Sequence, residues 1–280
     1  MRITILGASG LLGRPLKERW SGAEVCGFST PDADIRDISQ IHALLDRSRP
    51  EWVILAAAYT DVDGCETNPD LALAVNFRGA MNVAQAARRA AARLLFVSTD
   101  YVFDGTKSSA YETADPRNPI NVYGRSKAEA EVGIFEILPN ACIVRTSWLF
   151  GIGGKCFPDT ILKVASTRPQ IEVVNDQRGC PTYTPDLAEA IIQLCHLNAK
   201  GIVHVTNSGA CSWFEFAQEI VLAAGLPTRV LPTSSDKIAR PARRPANSVL
   251  SPRSLHEYGV ETPAWQDALR RYLAERKTTA

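Results

Sequence analysis

Apolar residues in the first half of the chain follow two rhythms. Runs at residues 3–6, 52–57 and 94–98 are short and nearly continuous, and residues 24–28 form a weaker run of similar length. Such runs predict strands, and strands apolar on both faces belong in a parallel sheet covered by helices. Between them, residues 11–20 and 38–45 place apolar positions three to four apart, which predicts helices. Asn68-Pro69 opens a further, Ala-rich helix reaching Ala92, because Pro suits the first helical position. Asp34-Ile35 sits where one more strand would end, which makes residues 52–57 the fourth strand. This alternation predicts an α/β fold around a doubly wound parallel sheet.

Beyond Cys142-Ile143-Val144-Arg145 the pattern changes. Gly151-Ile152-Gly153-Gly154 is a flexible break, the elements after it are shorter, and prolines multiply. Arg240-Pro241-Ala242-Arg243-Arg244-Pro245 is a basic, Pro-rich loop. No internal repeat or low-complexity tract is present.

Composition narrows the function. With 280 residues and 45% hydrophobic content, the chain can build a large domain and a smaller one. A net charge of +1 gives no global basic bias, so no nucleic-acid partner is expected. No apolar run is long enough to span a bilayer, and the first residues read as a strand, without the pattern of a signal peptide. The 7 cysteines are odd in number, scattered and never in a Cys-x-x-Cys pair. Reduced thiols and a cytoplasmic location are therefore expected. The 4 histidines lack ligand spacing, so no metal site is expected, although an interfacial ion held by carboxylates stays open.

Gly7-Ala8-Ser9-Gly10-Leu11-Leu12-Gly13 follows the first strand and opens the first helix. Glycines there allow a tight turn and close approach of backbone N–H groups to a pyrophosphate, and the helix start adds partial positive charge. The loop predicts a dinucleotide cofactor held by Gly7, Ser9, Gly10, Leu11, Leu12 and Gly13. The second strand runs into Gly27-Phe28-Ser29-Thr30 with no acid, and Arg14 follows the glycine loop. A carboxylate there would hold the ribose of NAD and repel a 2′-phosphate, so the pattern leans to NADPH, with NADH left open. Arg14 reads equally well as a solvated helix residue. Asp34 and Ile35 are candidates for the adenine edge, and Asp34 reads equally as a turn residue.

Tyr123-Gly124-Arg125-Ser126-Lys127 places Tyr and Lys on one helical face. A nearby ammonium is expected to lower the tyrosine pKa, so that Tyr123 can exchange a proton with a carbonyl or hydroxyl. Upstream, Ser98-Thr99-Asp100 ends a core strand at the edge where open α/β sheets bind ligands.

Glycine loop, Thr99 and Tyr-xxx-Lys, in that order, resemble the extended short-chain dehydrogenase/reductase family over most of the chain. The resemblance implies a Rossmann-type sheet with a smaller C-terminal substrate-binding lobe. Residues 1–150 would form the dinucleotide-binding domain and 151–280 the lobe, with some later segments returning to the first domain. It implies a Thr99-Tyr123-Lys127 triad in which Tyr123 donates the proton and Lys127 holds the nicotinamide ribose. Ala57, Ala58, Tyr59 and Thr60 would line the cofactor.

Five segments look like the dTDP-4-dehydrorhamnose reductases within that family. They are residues 57–63 (AAYTDVD), 98–105 (STDYVFDG), 145–151 (RTSWLFG), 176–182 (DQRGCPT) and 244–248 (RPANS). That likeness implies reduction of the 4-keto group of dTDP-4-dehydro-L-rhamnose, with Asp100, Tyr101 and Trp148 against the sugar. Related sugar-nucleotide dehydratases carry an Asp-Glu pair after the threonine. Here Asp100 precedes Tyr101, so the base needed for elimination is missing. The arginine loop suits a nucleotide-sugar diphosphate, although no single arginine stands out. Two other readings stay open: reduction of another 4-keto-6-deoxyhexose nucleotide, and a non-catalytic subunit similar to the regulatory subunit of methionine adenosyltransferase. The oligomeric state is open, a homodimer included.

Overall fold

The structure is a computed structural model that describes residues 1–279. Strands β1 (Arg2–Leu6), β2 (Glu24–Phe28), β3 (Trp52–Leu55), β4 (Arg93–Thr99) and β5 (Cys142–Thr146) lie in one parallel sheet. The strand Gly201–His204 completes it beside β5. The order across the sheet is β2-β1-β3-β4-β5 and then 201–204. The chain crosses from β1 to β2 on one side and resumes at β3 on the other. That reversal opens a crevice at the carboxyl ends of β1 and β3, where ligands of such sheets bind.

Alternate residues of β3 face opposite layers. Trp52 and Ile54 pack with Leu16 of α1 (Gly13–Arg19) and with Leu187 and Ile191 of the helix Thr184–His196. Val53 and Leu55 pack with Leu44 of α2 (Ile38–Ser48), Val83 of the helix Ala80–Arg89 and Ile134 of the helix Val122–Ile137. All four β3 side chains are buried. Burial of each large apolar side chain contributes about 1.5–3 kcal/mol, and cover on both faces explains the unbroken apolar run.

Two expectations are corrected. Asp34-Ile35 ends no strand, so β3 is third in the chain. The Asp34 carboxylate accepts the Arg36 backbone N–H at 2.9 Å and its guanidinium at 2.6–3.0 Å, and Ile35 packs against Gly79. Local turn chemistry satisfies the polar groups that strand pairing would have used. The Ala-rich helix is also not continuous. A first turn, Pro69–Ala72, leads into a wide π segment, Leu73–Gly79, and then into the helix Ala80–Arg89. The π segment turns Asn76 inward, where it is buried.

Beyond residue 146 a second core gathers Phe150, Tyr183, Phe216, Trp265 and Tyr272. The strand Gln170–Val174 pairs in parallel with Arg229–Thr233, and Arg178–Gly179 pairs with Cys211–Ser212. Both the helix Thr184–His196 and the strand Gly201–His204 pack with the main sheet, so the second half of the chain serves both cores. Among the described residues, no helix is long and apolar enough to cross a membrane, and no group of three His, Cys, Asp or Glu could hold a metal ion.

Candidate active site

The end of β4 meets the start of the helix Val122–Ile137. Asn121 caps that helix: its side chain accepts the Gly124 N–H at 2.8 Å and donates to the Arg243 carbonyl at 2.9 Å. Gly124 permits the approach, since a Cβ there would lie 2.0 Å from the Tyr101 carbonyl oxygen. Tyr123 is thereby set beside Thr99, and its ring meets Tyr101 edge-on at 6.2 Å. The Thr99 hydroxyl lies 3.0 Å from Asp100 Oδ1 and accepts the Tyr101 N–H at 3.2 Å.

The charges are not arranged as the spacing of Tyr123 and Lys127 suggested. Lys127 Nζ donates to the Val97 carbonyl at 2.6 Å and sits over the Phe96 ring at 3.8 Å. Burial pushes the lysine down to about 7, against the pull of Glu131. Burial and the Asp100 charge push Tyr123 up, although the Thr99 hydroxyl favours its ionised form. The expected lowering of Tyr123 is thus reversed. Desolvation disfavours phenolate, and the ammonium that would stabilise it is turned to a backbone carbonyl. Burial also pushes Asp100 up to about 7, against the hydroxyls of Ser248 and Thr99. Its Oδ2 is buried without a partner in hydrogen-bond geometry.

Residues that the sequence reading did not single out hold this arrangement. Asn76 accepts the Tyr59 N–H at 2.8 Å and donates to Ser126 at 3.1 Å, and Ser126 in turn donates to the Tyr123 carbonyl at 2.7 Å. Glu131, one turn beyond Lys127, accepts from Ser98 at 2.6 Å and from Arg145 at 2.6 and 2.9 Å. Burial would raise Glu131, but the Arg145 hydrogen bonds and charge hold it below the usual carboxylate range. Lys127 and Arg145 are 2% and 1% exposed, so Glu131 balances two buried cations.

A cleft of about 540 Å³ joins these side chains to the glycine loop. Gly7, Ser9, Gly10, Leu11, Leu12 and Gly13 form one wall. Ala57, Ala58 and Thr60 follow, then Thr99, Asp100, Tyr101, Tyr123, Lys127 and Trp148. Tyr59 does not line it and is tied back by Asn76. Asp34 and Ile35 line an adjoining cavity of about 200 Å³ with Ser29, Thr30 and Arg36. Arg14 is elsewhere: its Nε donates to the Ser9 carbonyl at 3.0 Å and its guanidinium lies against Gly153.

The loop fits a dinucleotide. Gly7 has φ +95°, and a Cβ on it or on Gly13 would meet backbone at 2.6 or 2.1 Å. A Cβ on Gly10 would meet only the Gly7 carbonyl, at 3.2 Å, and otherwise stand in the cleft space a pyrophosphate needs.

On the far side, a cavity of about 590 Å³ is lined by Gln177, Trp213 and the arginine loop. Arg244 pairs with both oxygens of Asp63, at 2.8 and 3.0 Å, while Arg240 and Arg243 are exposed along the cavity. Not every recognisable motif residue faces a cavity. Phe103 is fully buried and stacks on Tyr111 at 4.1 Å, and Asp104 binds Thr106 and the Tyr111 hydroxyl.

A family model described as RmlD substrate binding domain matches residues 1–278. The chain belongs to the RmlD family. Among its relatives, the spore coat polysaccharide biosynthesis protein SpsK of Bacillus subtilis is 40% identical, covering 99% of this chain and 98% of the relative. A dTDP-4-dehydrorhamnose reductase of Mycobacterium tuberculosis is 39% identical, covering 98% of this chain and 92% of the relative. A dTDP-4-dehydrorhamnose reductase of Bacillus anthracis, solved in complex with NADP, superimposes with a TM-score of 0.94 at 39% identity, covering 98% and 99% of the two chains. The RmlD family membership agrees with the extended short-chain dehydrogenase/reductase resemblance and with the parallel sheet.

Proposed function

We propose that this chain reduces the 4-keto group of dTDP-4-dehydro-L-rhamnose with NADPH, giving dTDP-L-rhamnose. The observation that carries the reading is that Thr99, Tyr123 and Lys127 line one cleft continuous with a dinucleotide-type glycine loop. A phenol that keeps its proton at neutral pH suits the reductive direction, where an oxygen gains negative charge and must be protonated. The M. tuberculosis and B. anthracis relatives carry the corresponding name, and the latter was solved with NADP.

In this reading residues 1–150 supply the cofactor site and 151–280 most of the substrate lobe. Gly7, Ser9, Gly10, Leu11, Leu12 and Gly13 hold the pyrophosphate. Asp34 and Ile35 meet the adenosine end, with Ser29, Thr30 and Arg36 toward the 2′-phosphate. Ala57, Ala58 and Thr60 shape the middle of the cleft, with Tyr59 set back behind them, and Lys127 holds the nicotinamide ribose. NADPH, when bound, supplies the hydride. Asp100, Tyr101 and Trp148 position the sugar, and Arg240 and Arg243 face its diphosphate. The Thr99 hydroxyl orients the C4 oxygen. Tyr123 passes its phenolic proton to that oxygen as negative charge develops, which leaves a hydroxyl at C4. Scattered, unpaired cysteines support a cytoplasmic enzyme.

The test is loss of NADPH absorbance on addition of dTDP-4-dehydro-L-rhamnose, with the product identified. Formation of dTDP-L-rhamnose is expected. NADPH binding without turnover of this sugar would overturn the reading.

A further inference from the structure

Trp148 stands on a backbone that bulky residues avoid, with φ +49°. Two neighbours hold it there. Trp213 stacks flat upon it, ring centroids 3.5 Å and planes 8° apart. On Gly179 a Cβ would lie 2.4 Å from the indole, so that residue leaves room only by lacking a side chain. Trp213 is itself fixed. It is the first residue of the helix Trp213–Ala223, which starts with a Ser212–Glu215 capping box, and its ring packs on Phe157 at 4.5 Å.

The pair also occupies a telling place. Trp148 and Trp213 both line the cleft that holds Tyr123, and Trp213 also lines the cavity of Arg240 and Arg243. Neither indole is fully buried, as a purely core pair would be. They form the partition between the two spaces that one nucleotide-linked sugar would have to span.

We propose that Trp213 is a positioning residue: stacked on Trp148, it fixes the surface on which the sugar rests and sets the passage between sugar and nucleotide. The proposal rests on the reading of the cleft as a nucleotide-sugar site. Trp213 acts through Trp148, whose indole it holds flat at 3.5 Å.

The test is a double-mutant cycle on kcat/KM for dTDP-4-dehydro-L-rhamnose, with NADPH affinity measured on each variant. W213A is expected to lose about tenfold or more, chiefly through KM, while NADPH affinity stays within about twofold. W213F, which keeps a stacking ring, should recover to within about threefold of wild type, and W148A/W213A should be no more than about twofold worse than W148A. W213A at wild-type efficiency beside an impaired W148A would overturn the proposal and leave the nucleotide-sugar reading standing. So would fully additive losses, or a W213A defect that extends to NADPH affinity and is not rescued by W213F. Wild-type efficiency in W148A would overturn the placement of the sugar and the proposal with it.

Discussion

Gly124→Ala tests how closely the reacting groups depend on one backbone contact. A Cβ at Gly124 would lie 2.0 Å from the Tyr101 carbonyl oxygen and 2.8 Å from its carbonyl carbon, where contacts below 3.0 Å essentially never occur. Both atoms are backbone, so no rotamer relieves the clash. Either the helix start at Asn121 or the turn after β4 must retreat by about 1 Å, the shortfall against that limit. Tyr123 rides on the helix and Thr99 and Asp100 on the strand end, so the retreat separates the proposed proton donor from its partners. A misplacement of about 1 Å costs roughly 100-fold in rate, or about 2.7 kcal/mol of barrier. Helix propensity alone points the other way, since Ala is favoured over Gly in a helix interior by about 0.8–1.0 kcal/mol. The assay is kcat/KM by NADPH oxidation, with NADPH affinity and thermal unfolding on the same preparation. The expected variant is folded, still binds NADPH through the glycine loop although the helix that carries Lys127 shifts, and is about 100-fold slower. A variant more stable than wild type with activity within about threefold would refute the packing argument.

Tyr123→Phe removes the phenolic proton and should abolish turnover while NADPH affinity is retained; full activity would remove Tyr123 as donor. Gly10→Val places its branches in the cleft and should weaken NADPH binding by about tenfold or more, with unchanged affinity contradicting the pyrophosphate placement. His204 should lower stability in mild acid, an effect read as the difference between wild type and His204→Leu because Asp100, pushed up to about 7, gains its proton in the folded state and works the other way. Burial and the nearby Arg145 cation push this histidine down to about 3, and neither ring nitrogen has a partner in hydrogen-bond geometry. The unfolded chain takes up that proton near pH 6.5, so the contribution is whole well above pH 6.5, falls by about 1 kcal/mol between pH 6.5 and 5.5, and falls by about 1.4 kcal/mol per pH unit below that, down to about pH 3. Urea unfolding of wild type and His204→Leu at pH 6.5 and 5.5 should give a stability difference that shifts by about 1 kcal/mol between the two pH values; parallel curves for the two proteins would contradict the assignment.

The sheet was legible because strands covered on both faces leave continuous apolar runs, as at Trp52 to Leu55. The meeting of glycine loop, Thr99, Tyr123 and Lys127 was legible because strand ends and helix starts of such a sheet share one edge. Side-chain direction was not. An i, i+4 spacing puts Tyr123 and Lys127 on one face, yet it does not show that Lys127 turns to the Val97 carbonyl, and so the sign of the Tyr123 shift came out reversed. Long-range partners were equally hidden. Asn76 reaches Ser126 only because the helix widens at Leu73–Gly79, and Glu131 meets Arg145 across two elements. Asp34-Ile35 misled because its apolar residue packs on Gly79 from a loop instead of from a strand. Trp148 was picked out by its motif, whereas Trp213, 65 positions later, became visible only through the stack.

The central claim is that this cleft delivers hydride to C4 of the sugar while Tyr123 delivers the proton to the oxygen. NADPH carrying deuterium at its transferable position, turned over with dTDP-4-dehydro-L-rhamnose, tests it most directly. The account predicts one deuterium, on C4 of dTDP-L-rhamnose, and none in the Tyr123→Phe reaction over the same time. Deuterium at another carbon, or a product without it, would contradict the account.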